Sequence, residues 1–466
     1  MKKVLLATIV ATALSGCVAT QKEASIGVET NLQQGNTKQA IAVAVKNADL
    51  DVEKNQLNNQ LWGMQTASLL RIDKQYKKSN QYLDLIEDVM YQEDTENLLK
   101  EGGEALGSIL TNDSFLNYEQ TMYDSIMVNT YKALNFMAQG DFSHARVEWN
   151  RSDDRQRRAA DFFAKKINKA KEDAAKEEQE KRAKSGAKDS GNIDKSLTAS
   201  NKILEKNGVD MSTWQAYDGY VNPFSTYMHG LFFMLKAQDK ADIDKAVDSF
   251  KRVNALSKNT VTSKALKLAR NIQKGKQNLN NLGKVWVIFE NGQMAKKQEM
   301  RVDLPLFLVS DNVAYAGIAL PRLEEQTDVF GSLKVQGIKT EIVADMDKII
   351  KAEFKEEFPL ILSREIVRTT TKTIIQKQIN DKNPLLGFGA GLLQAASTQA
   401  DLRTWSLLPK NFQVAVVDKP TNNQITLESG GFAQPLVIDV SDNKNTIIYV
   451  KSTYPHAQPS VEVITL

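Results

Sequence analysis

The sequence predicts an α+β protein in which an array of α-helical hairpins precedes a domain built around a mainly antiparallel sheet. Two observations predict this division. Between residues 36 and 280 apolar residues recur at i, i+3 and i+4, and Pro223 is the only proline. After residue 281 short apolar runs alternate with turn residues, which is typical of strands, and one longer helical stretch lies among them.

The chain begins with the pattern of a bacterial lipoprotein signal. Two lysines precede an apolar run, residues 4–14, which is too short to span a bilayer that needs about 20 residues. Small residues then lead to Cys17, the only cysteine. A cysteine at this place takes a diacylglycerol thioether, and the amine freed by cleavage is acylated, with palmitate for example. We therefore predict a signal peptide at residues 1–16 and lipidation of Cys17.

The residue after the predicted lipidation site indicates the membrane. Val18 stands where an aspartate would retain a Gram-negative lipoprotein at the inner membrane, so the outer membrane is favoured, with the protein facing the periplasm. A single cysteine, already bound to lipid, fits an oxidising compartment. Residues 17–35 are polar and lack periodicity, and they are predicted to form a lipidated tether.

The composition is that of a folded protein and excludes some partners. Charged residues make up 25% and apolar residues 42% of the 466 residues. The length suggests two or three domains, and we predict a helical domain at 36–280 and an α+β domain at 281–466. Loss of the two lysines in the signal peptide lowers the net charge from +3 to +1. This balance argues against a nucleic-acid-binding protein.

A faint repeat in the helical part resembles the entry to the second helix of a tetratricopeptide repeat. Residues 138–149 combine a Gly-Asp turn, an aromatic residue, a small residue and a bulky residue, and residues 241–253 show a similar pattern. The small residue lets two helices approach, and the bulky residue fills the gap to the next hairpin. A generic helical array is the alternative. The small residues, two of them in weaker copies, are Ala40, Ser79, Ala145 and Ala246.

A charged insertion interrupts the helical part near residues 165–200. Between residues 165 and 190 Lys, Glu and Ala dominate, and several Glu–Lys pairs stand at i, i+4. Because no apolar stripe is present, we predict a projecting, solvated helix and a flexible loop. A partner-binding arm is the alternative.

The strands of the C-terminal half are marked by turn residues. The run Lys284–Glu290 leads into Asn291-Gly292, a strong hairpin signal, and predicts a hairpin with Gln298–Val302. A helix is predicted from about residue 345 to 380, broken or kinked at Pro359. The other predicted strands are Leu304–Val309, Val313–Leu320, Phe412–Val417, Gln424–Glu428, Leu436–Val440, Thr446–Val450 and Val461–Leu466.

The sequence contains few candidates for catalysis. His144, His229 and His456 lie in separate segments and belong to no spaced ligand set, so we expect no metal site. Neither a nucleophile elbow nor a phosphate-binding loop is present. The run Gly387–Gly391 lacks the preceding strand and the third glycine of a dinucleotide fingerprint. We therefore predict no catalytic residue and no cofactor, and we interpret the first two histidines as ordinary surface or packed residues.

Two neighbouring segments are candidates for binding. Residues 385–396 predict an apolar helix of the core, with a groove or membrane-proximal element as the alternative. Residues 400–409 join this helix to the next strand. There Asp401 and Arg403 are predicted to share a charge-assisted hydrogen bond, while Trp405 covers the edge of the core. A ligand-binding corner is the alternative.

Several of these features together resemble an uncharacterised family of proteobacterial lipoproteins. The resemblance is carried by the lipoprotein signal, the degenerate repeats, residues Trp286–Gly292 and the string Asp401-x-Arg403-x-Trp405-x-x-x-Pro409. It covers most of the mature chain. The family carries no established activity, so it implies no catalytic or binding residue. Lipoproteins of this kind are loosely associated with activators of peptidoglycan synthases. The resemblance therefore favours other proteins of the cell envelope as partners.

The sequence therefore predicts a non-enzymatic scaffold, anchored to the outer membrane, that serves cell-envelope biogenesis, including the control of peptidoglycan synthesis. Stacked hairpins present a concave face that suits a peptide or protein partner. One alternative is a cell-wall enzyme that uses Glu356, Glu357 or Asp401 as acid and base, roughly 5–9.5 Å apart. The other is a lipid or small-molecule carrier with a pocket beside residues 385–396.

Overall fold

The computed structural model shows a mixed α+β protein, as predicted, in which helices precede strands. The signal peptide with Cys17 and Val18, residues 165–190 of the charged insertion, His456 and the apolar segment 385–396 lie outside the described residues. The structure describes residues 21–99, 118, 120–159, 193–207, 209–217, 221–279, 282–307, 313–382, 399–432, 434–441, 444–455 and 457–466.

The helices of the first part pack in sequence order, from α2 to α5 and again from α8 to α10. The short strands β1 (Leu50–Asp51) and β2 (Gln56–Leu57) separate α2 from α3. The helices are α1 (21–33), α2 (Thr37–Ala48), α3 (Gln60–Ile72), α4 (Tyr76–Leu99), α5 (Met122–Ala138), α6 (142–159), α7 (Ile193–Lys206), α8 (Pro223–Leu235), α9 (Lys240–Ser257) and α10 (Thr260–Gln273).

Helix α1 occupies most of the segment predicted to be a tether, so that prediction is wrong for residues 21–33. Residues 21–33 are helical, and Val28 and Leu32 are buried in the main core. These two residues stand at i, i+4 and share one face of the helix. Two apolar residues are too few to show a helical period in the sequence. The surface that buries them belongs to other elements, so the sequence of α1 alone does not reveal it.

The small residues of the repeat pattern are buried, and one of them contacts the other helix of its pair. Ser79 Oγ in α4 donates to Ala67 O in α3 at 2.9 Å. A Cβ on Gly230 of α8 would lie 3.1 Å from the Cβ of Ser249 in α9, so these two helices also approach closely. Bulky residues four positions after the small ones are buried as well. Fully buried residues of the pattern are Ala40, Ser79, Leu83, Ala145, Trp149, Ala246 and Phe250.

Over its described residues, the second part contains three sheets, one of which is the two-stranded sheet of β4 and β5, and a long helix. A five-stranded sheet has the order β13-β12-β3-β9-β8, and a four-stranded sheet has the order β11-β10-β6-β7. Strands β12 and β3 run parallel to each other, whereas the other neighbouring strands of these two sheets are antiparallel. The elements are β3 (Lys284–Asn291), β4 (Lys296–Phe307), β5 (Val313–Glu324), β6 (Lys334–Val335), β7 (Ile338–Lys339), β8 (Glu341–Asp345), α11 (Met346–Lys382), β9 (Asn411–Asp418), β10 (Gln424–Glu428), β11 (Leu436–Asp439), β12 (Thr446–Ser452) and β13 (Ser460–Thr465).

Most of the predicted strands are confirmed, and the predicted helix is confirmed as α11. The helix is assigned without a break through Pro359. Strands β9 to β13 agree with the five predicted C-terminal strands within two residues at each end. Two strands predicted on either side of residue 303 are one strand, β4, which passes through Pro305 and pairs along its length with β5.

The predicted hairpin at Asn291-Gly292 is wrong. Strand β3 lies between β12 and β9, whereas β4 pairs with β5 outside that sheet. The turn residues end β3 instead: Gly292 has φ +67°, and the Asn291 side chain donates to Phe330 O at 2.6 Å and accepts from Phe330 N at 3.2 Å. A local turn signal does not show which strand will lie alongside, because that depends on distant segments.

The five-stranded sheet is buried on both faces. Alternate residues of β3 make this clear, since Val287 packs toward the four-stranded sheet and Ile288 toward the helices. The molecule therefore has three layers: helices, the five-stranded sheet and the four-stranded sheet. A further core, around Phe354 of α11, joins β4, β5 and α7. The main core continues from the helices into the sheet without a break at residue 280.

Candidate functional site

Residues 400–409, the junction segment, lie between the helices and the five-stranded sheet. Trp405 is fully buried, and its Nε1 donates to Ser68 Oγ of α3 at 2.9 Å. Its ring meets Tyr131 of α5 edge-on, with 5.7 Å between the ring centroids. Gln65 of α3 donates to Ser406 Oγ at 2.9 Å. The segment thus fixes two helices against the sheet, which makes it the best candidate for an organising site.

The predicted pair Asp401–Arg403 is confirmed at the start of the junction segment. Arg403 donates through Nε to Asp401 Oδ1 at 2.9 Å and through Nη2 to Oδ2 at 2.8 Å, a two-bond geometry. Burial raises the pKa of Asp401, but Arg403 more than offsets this, and the pKa ends below its ordinary value. The carboxylate is therefore held charged, in place, by its own neighbour.

Two buried carboxylates that the sequence analysis did not single out lie at the start of α5. Asp124 Oδ2 accepts from Tyr118 OH at 2.6 Å and from Thr121 N at 3.0 Å. Burial raises the pKa of Asp124, and these two hydrogen bonds oppose the rise. Glu353 of α11 accepts from Met122 N at 2.7 Å. The Thr121-x-x-Asp124 spacing is that of a capping box and was the available signal for Asp124.

The carboxylates named by the enzyme alternative have different surroundings. Asp401 is bound to Arg403, whereas Glu356 is exposed and Glu357 partly exposed on α11. The acidic residue of α11 that reaches α5 is Glu353, one turn earlier. Glu353 and the capping box of Thr121 and Asp124 together cap the first turn of α5, where the backbone N–H groups lack partners within the helix.

A buried ionic cluster, the junction cluster, lies on the face of the sheet that meets the helices. Its members are Arg71, Tyr131, Glu290, Tyr449 and Lys451. Tyr131 OH donates to Glu290 Oε1 at 2.5 Å, and Lys451 Nζ lies 3.3 Å from Glu290 Oε2. The Arg71 guanidinium lies over the Tyr131 ring, 4.3 Å from its centroid.

The electrostatics of the junction cluster follow from its burial. Burial lowers the pKa of Lys451, and the Glu290 carboxylate opposes this without reversing it. Burial also raises the pKa of Tyr131 and Tyr449 well above the ordinary value, so both hydroxyls stay protonated. The cluster joins α3 and α5 to β3 and β12, and Lys451 also donates to Leu407 O at 3.4 Å.

A second ionic cluster, the array network, lies among α4, α5 and α6. Lys132 Nζ is 2.8 Å from Asp84, 2.5 Å from Glu87 and 3.2 Å from Glu148. Burial lowers the pKa of Lys132, but Glu148 and Glu87 more than offset this, and the pKa is raised. Arg151 binds Glu148 from the solvent side at 2.9 Å.

Ion pairs also connect α6 to α9, on either side of the charged insertion. Arg146 donates to both carboxylate oxygens of Asp242, at 2.9 and 2.8 Å. Arg252 Nη2 donates to Asp153 Oδ1 at 2.5 Å. Helix α7, between α6 and α9 in sequence, packs on β4 and α11 instead. The array therefore continues from α6 to the pair α8 and α9, and α7 is not part of it.

The two described histidines are a surface and a packed residue, as predicted. His144 is exposed, with Nδ1 2.6 Å from Asp141 Oδ2. His229 is buried in α8, with Nδ1 2.8 Å from Ser249 Oγ. Burial lowers the pKa of His229 to about 4, although Asp153 opposes this. At neutral pH the imidazole is therefore uncharged.

In three of the pairs the first helix lies between the second helix and the sheet. Helices α3, α5 and α8 are buried on nearly all sides. Phe224 of α8 stacks on Phe412 of β9, with ring centroids 3.6 Å apart. The face that the sequence analysis expects to bind a partner is thus covered by the chain's own sheet. The second helices α2, α6 and α9 keep an exposed side.

Comparisons with known proteins add no relative. No protein-family model, no curated protein and no solved structure matches the chain. Across the described ranges no helix is long and apolar enough to cross a bilayer. The same residues contain no group of three or more His, Cys, Asp or Glu side chains placed to hold a metal ion. The resemblance to a lipoprotein family stays a prediction.

Proposed function

We propose that this protein is a lipoprotein, anchored to the outer membrane through Cys17, that binds a protein or peptide partner as a non-enzymatic scaffold of cell-envelope biogenesis. The lipoprotein signal supports the anchor. The closely packed helix pairs support the scaffold, because paired helices of this kind form extended binding surfaces in repeat proteins. The control of peptidoglycan synthesis is the favoured setting.

The observation that carries the scaffold is the burial of all four small residues of the repeat pattern. Each lies early in the second helix of a pair, where a tetratricopeptide repeat places its small residue. We infer that α1 to α10, apart from α7, form a degenerate array of this class. The residues at those places are Ala40, Ser79, Ala145 and Ala246.

The partner's surface is proposed to be the outer side of the array. Three large apolar side chains are exposed there, on three different second helices: Val45 at 38%, Tyr91 at 71% and Val147 at 45%. Exposed apolar and aromatic residues of this kind supply anchors for protein interfaces. Helices α3, α5 and α8 are unsuited to this role because the sheet covers them.

The anchor is tested by fractionation of cells that express Cys17→Ala. We expect the variant to leave the membrane fraction, since Cys17 is the residue that takes the lipid. The Ser15→Ala variant keeps the cysteine and serves as the control. Retention of the Cys17→Ala protein in the outer membrane would refute the anchor.

The scaffold is tested by crosslinking in intact cells. A photoreactive amino acid at Val147 or Tyr91 should capture one defined protein partner. The same group at Val437 or Ile338, which are exposed on the four-stranded sheet at 58% and 53%, is the matched control. Equal capture from both surfaces, or none from the outer helices, would contradict the proposed surface.

A further inference from the structure

The last helix of the array carries charge of one sign. Residues 249–289 contain nine Lys and Arg residues and no Asp or Glu. Two of these cations are paired with distant carboxylates, Arg252 with Asp153 and Lys284 with Asp418. The remaining cations of the patch are exposed and form no ion pair with any part of the chain that the structure describes. They are Lys251, Lys258, Lys264, Lys267, Arg270, Lys274 and Lys276.

Four of these residues form a stripe: three lie on α10, and the fourth, Lys274, is the C-cap residue of this helix. Lys264, Lys267, Arg270 and Lys274, here called the basic stripe, recur every three or four residues and so share one side of the helix. Like charges at these spacings repel one another, and only the cations near the C-terminus of α10 gain from the helix dipole, so the stripe as a whole is not explained by the stability of the helix. The end of a repeat array needs a polar outer face, but mixed charges would satisfy that need.

The stripe borders a shallow cleft. The cleft has a volume of about 460 Å³ and is lined by Lys258, Asn259, Thr260, Ser263, Lys264 and Lys267. The N-terminus of α10 is already occupied, since Thr260 N donates to Glu341 of β8 at 2.8 Å. The positive surface is therefore made by side chains along the helix and not by its free end.

We propose that the basic stripe binds the surface of a membrane that contains anionic phospholipids. None of the large exposed apolar residues of the described chain lies between residues 249 and 279, so this face lacks the apolar anchors of a protein interface. A fluid layer of negative headgroups needs no such anchors. Each lysine near such a surface strengthens binding about fivefold.

The stripe and the lipid act as two signals for the same place. The predicted anchor on Cys17 carries more than one acyl chain and holds the protein at the membrane by itself, so the stripe adds an electrostatic contact that turns the array toward the surface. The inference depends on the proposed lipid anchor only for the location of binding. The electrostatic contact itself exists without the lipid, so the two ideas can fail separately.

The test is co-sedimentation of full-length Cys17→Ala protein with vesicles at about 0.1 M salt. Vesicles of phosphatidylcholine are compared with vesicles that contain one quarter phosphatidylglycerol. We expect at least about tenfold stronger binding to the anionic vesicles, and loss of this difference at about 1 M salt, where screening is nearly complete. Because the salt series uses one protein, it does not depend on how a variant folds.

Variants locate the contact. Replacement of the four stripe residues by Gln should remove at least about 90% of the charge-dependent binding. The control exchanges four exposed lysines elsewhere, Lys38, Lys46, Lys334 and Lys339, for Gln and should bind as the parent does. Equal binding to both vesicles, or an equal loss in the control, would overturn the proposal. So would capture of an acidic protein by the stripe without any effect of phosphatidylglycerol.

Discussion

Two buried lysines, one in the array and one at the junction with the sheet, respond to burial in opposite ways. Lys132 is 3% exposed and Lys451 is 7% exposed. Burial lowers the pKa of both ammonium groups. Lys132 has three carboxylates within 3.2 Å, and its pKa ends above the ordinary value. Among the residues that the structure describes, Lys451 is paired with Glu290 alone, and its pKa ends below the ordinary value.

The comparison shows how the two regions are held together. In the array the charges reach solvent, since Asp84 and Arg151 are 58% and 51% exposed, so the network binds helix to helix at the surface. At the junction the charges are enclosed, and Glu290 is fully buried. A buried charge is strongly destabilising when its partner is missing. The pair of Glu290 and Lys451 therefore disfavours any docking of the helices on the sheet that would leave one of these charges without the other.

The largest expected effect is the loss of the lysine in the array. Lys132→Met leaves Asp84, Glu87 and Glu148 close together without the cation that all three contact. We expect the free energy of unfolding to fall by about 3–5 kcal/mol, as measured by urea denaturation. Arg151→Met is the control, because Arg151 is half exposed and should cost under about 1 kcal/mol. Equal losses would mean that burial of Lys132 has no special consequence.

The next effect is a loss of stability at low pH that arises in the array. His229 lies in the array, and its pKa of about 4 is below the ordinary value for histidine. Between about pH 6.5 and pH 4 the unfolded chain binds a proton that the folded chain does not, so stability falls as the pH falls through this window. We expect a loss of roughly 2–3 kcal/mol from this residue.

Urea denaturation at several pH values checks this effect. In His229→Gln the dependence on pH between 6.5 and 4 should become correspondingly weaker. The exposed His144→Gln is the matched control and should keep the dependence of the parent protein. An unchanged profile in His229→Gln would show that another group is responsible.

The smallest effect is the coupling within the junction cluster. Glu290→Gln and Lys451→Met should each destabilise the protein because each leaves a buried charge without its partner. The double variant should cost less than the sum of the two, with a coupling energy of about 1–3 kcal/mol. Unfolding of the four proteins of this cycle measures it. Additive losses would show that the two side chains act independently.

The sequence was sufficient for elements whose signal is local. Strands β9 to β13 follow short apolar runs between turn residues, and the Asp401–Arg403 pair lies within three residues. The positions of the small residues also follow from spacing alone. Helix α8 contains a signal that was left unused, since the stretch from Phe224 to Met234 has apolar residues on every side and such a helix is buried all round.

The features that the sequence could not give are those made by distant segments. Asn291-Gly292 has the chemistry of a hairpin, but β12 and β9 occupy the places on either side of β3. The side chain of Asn291 binds Phe330, 39 residues away. Lys132 and Lys451 look like surface lysines in the sequence, because only the fold shows which carboxylates surround them.

The central claim is that the sheet covers α3, α5 and α8, so that these helices and the sheet form one cooperative body. Native-state hydrogen exchange, resolved by residue, measures this directly. We predict that the amides of α3, α5 and α8 exchange with the same opening free energy as those of β3 and β9. Trp405→Ala, which removes the fully buried side chain of the junction segment, should lower both by the same amount. Helices that open at clearly lower free energy than the sheet, and a Trp405→Ala effect confined to one part, would contradict the account.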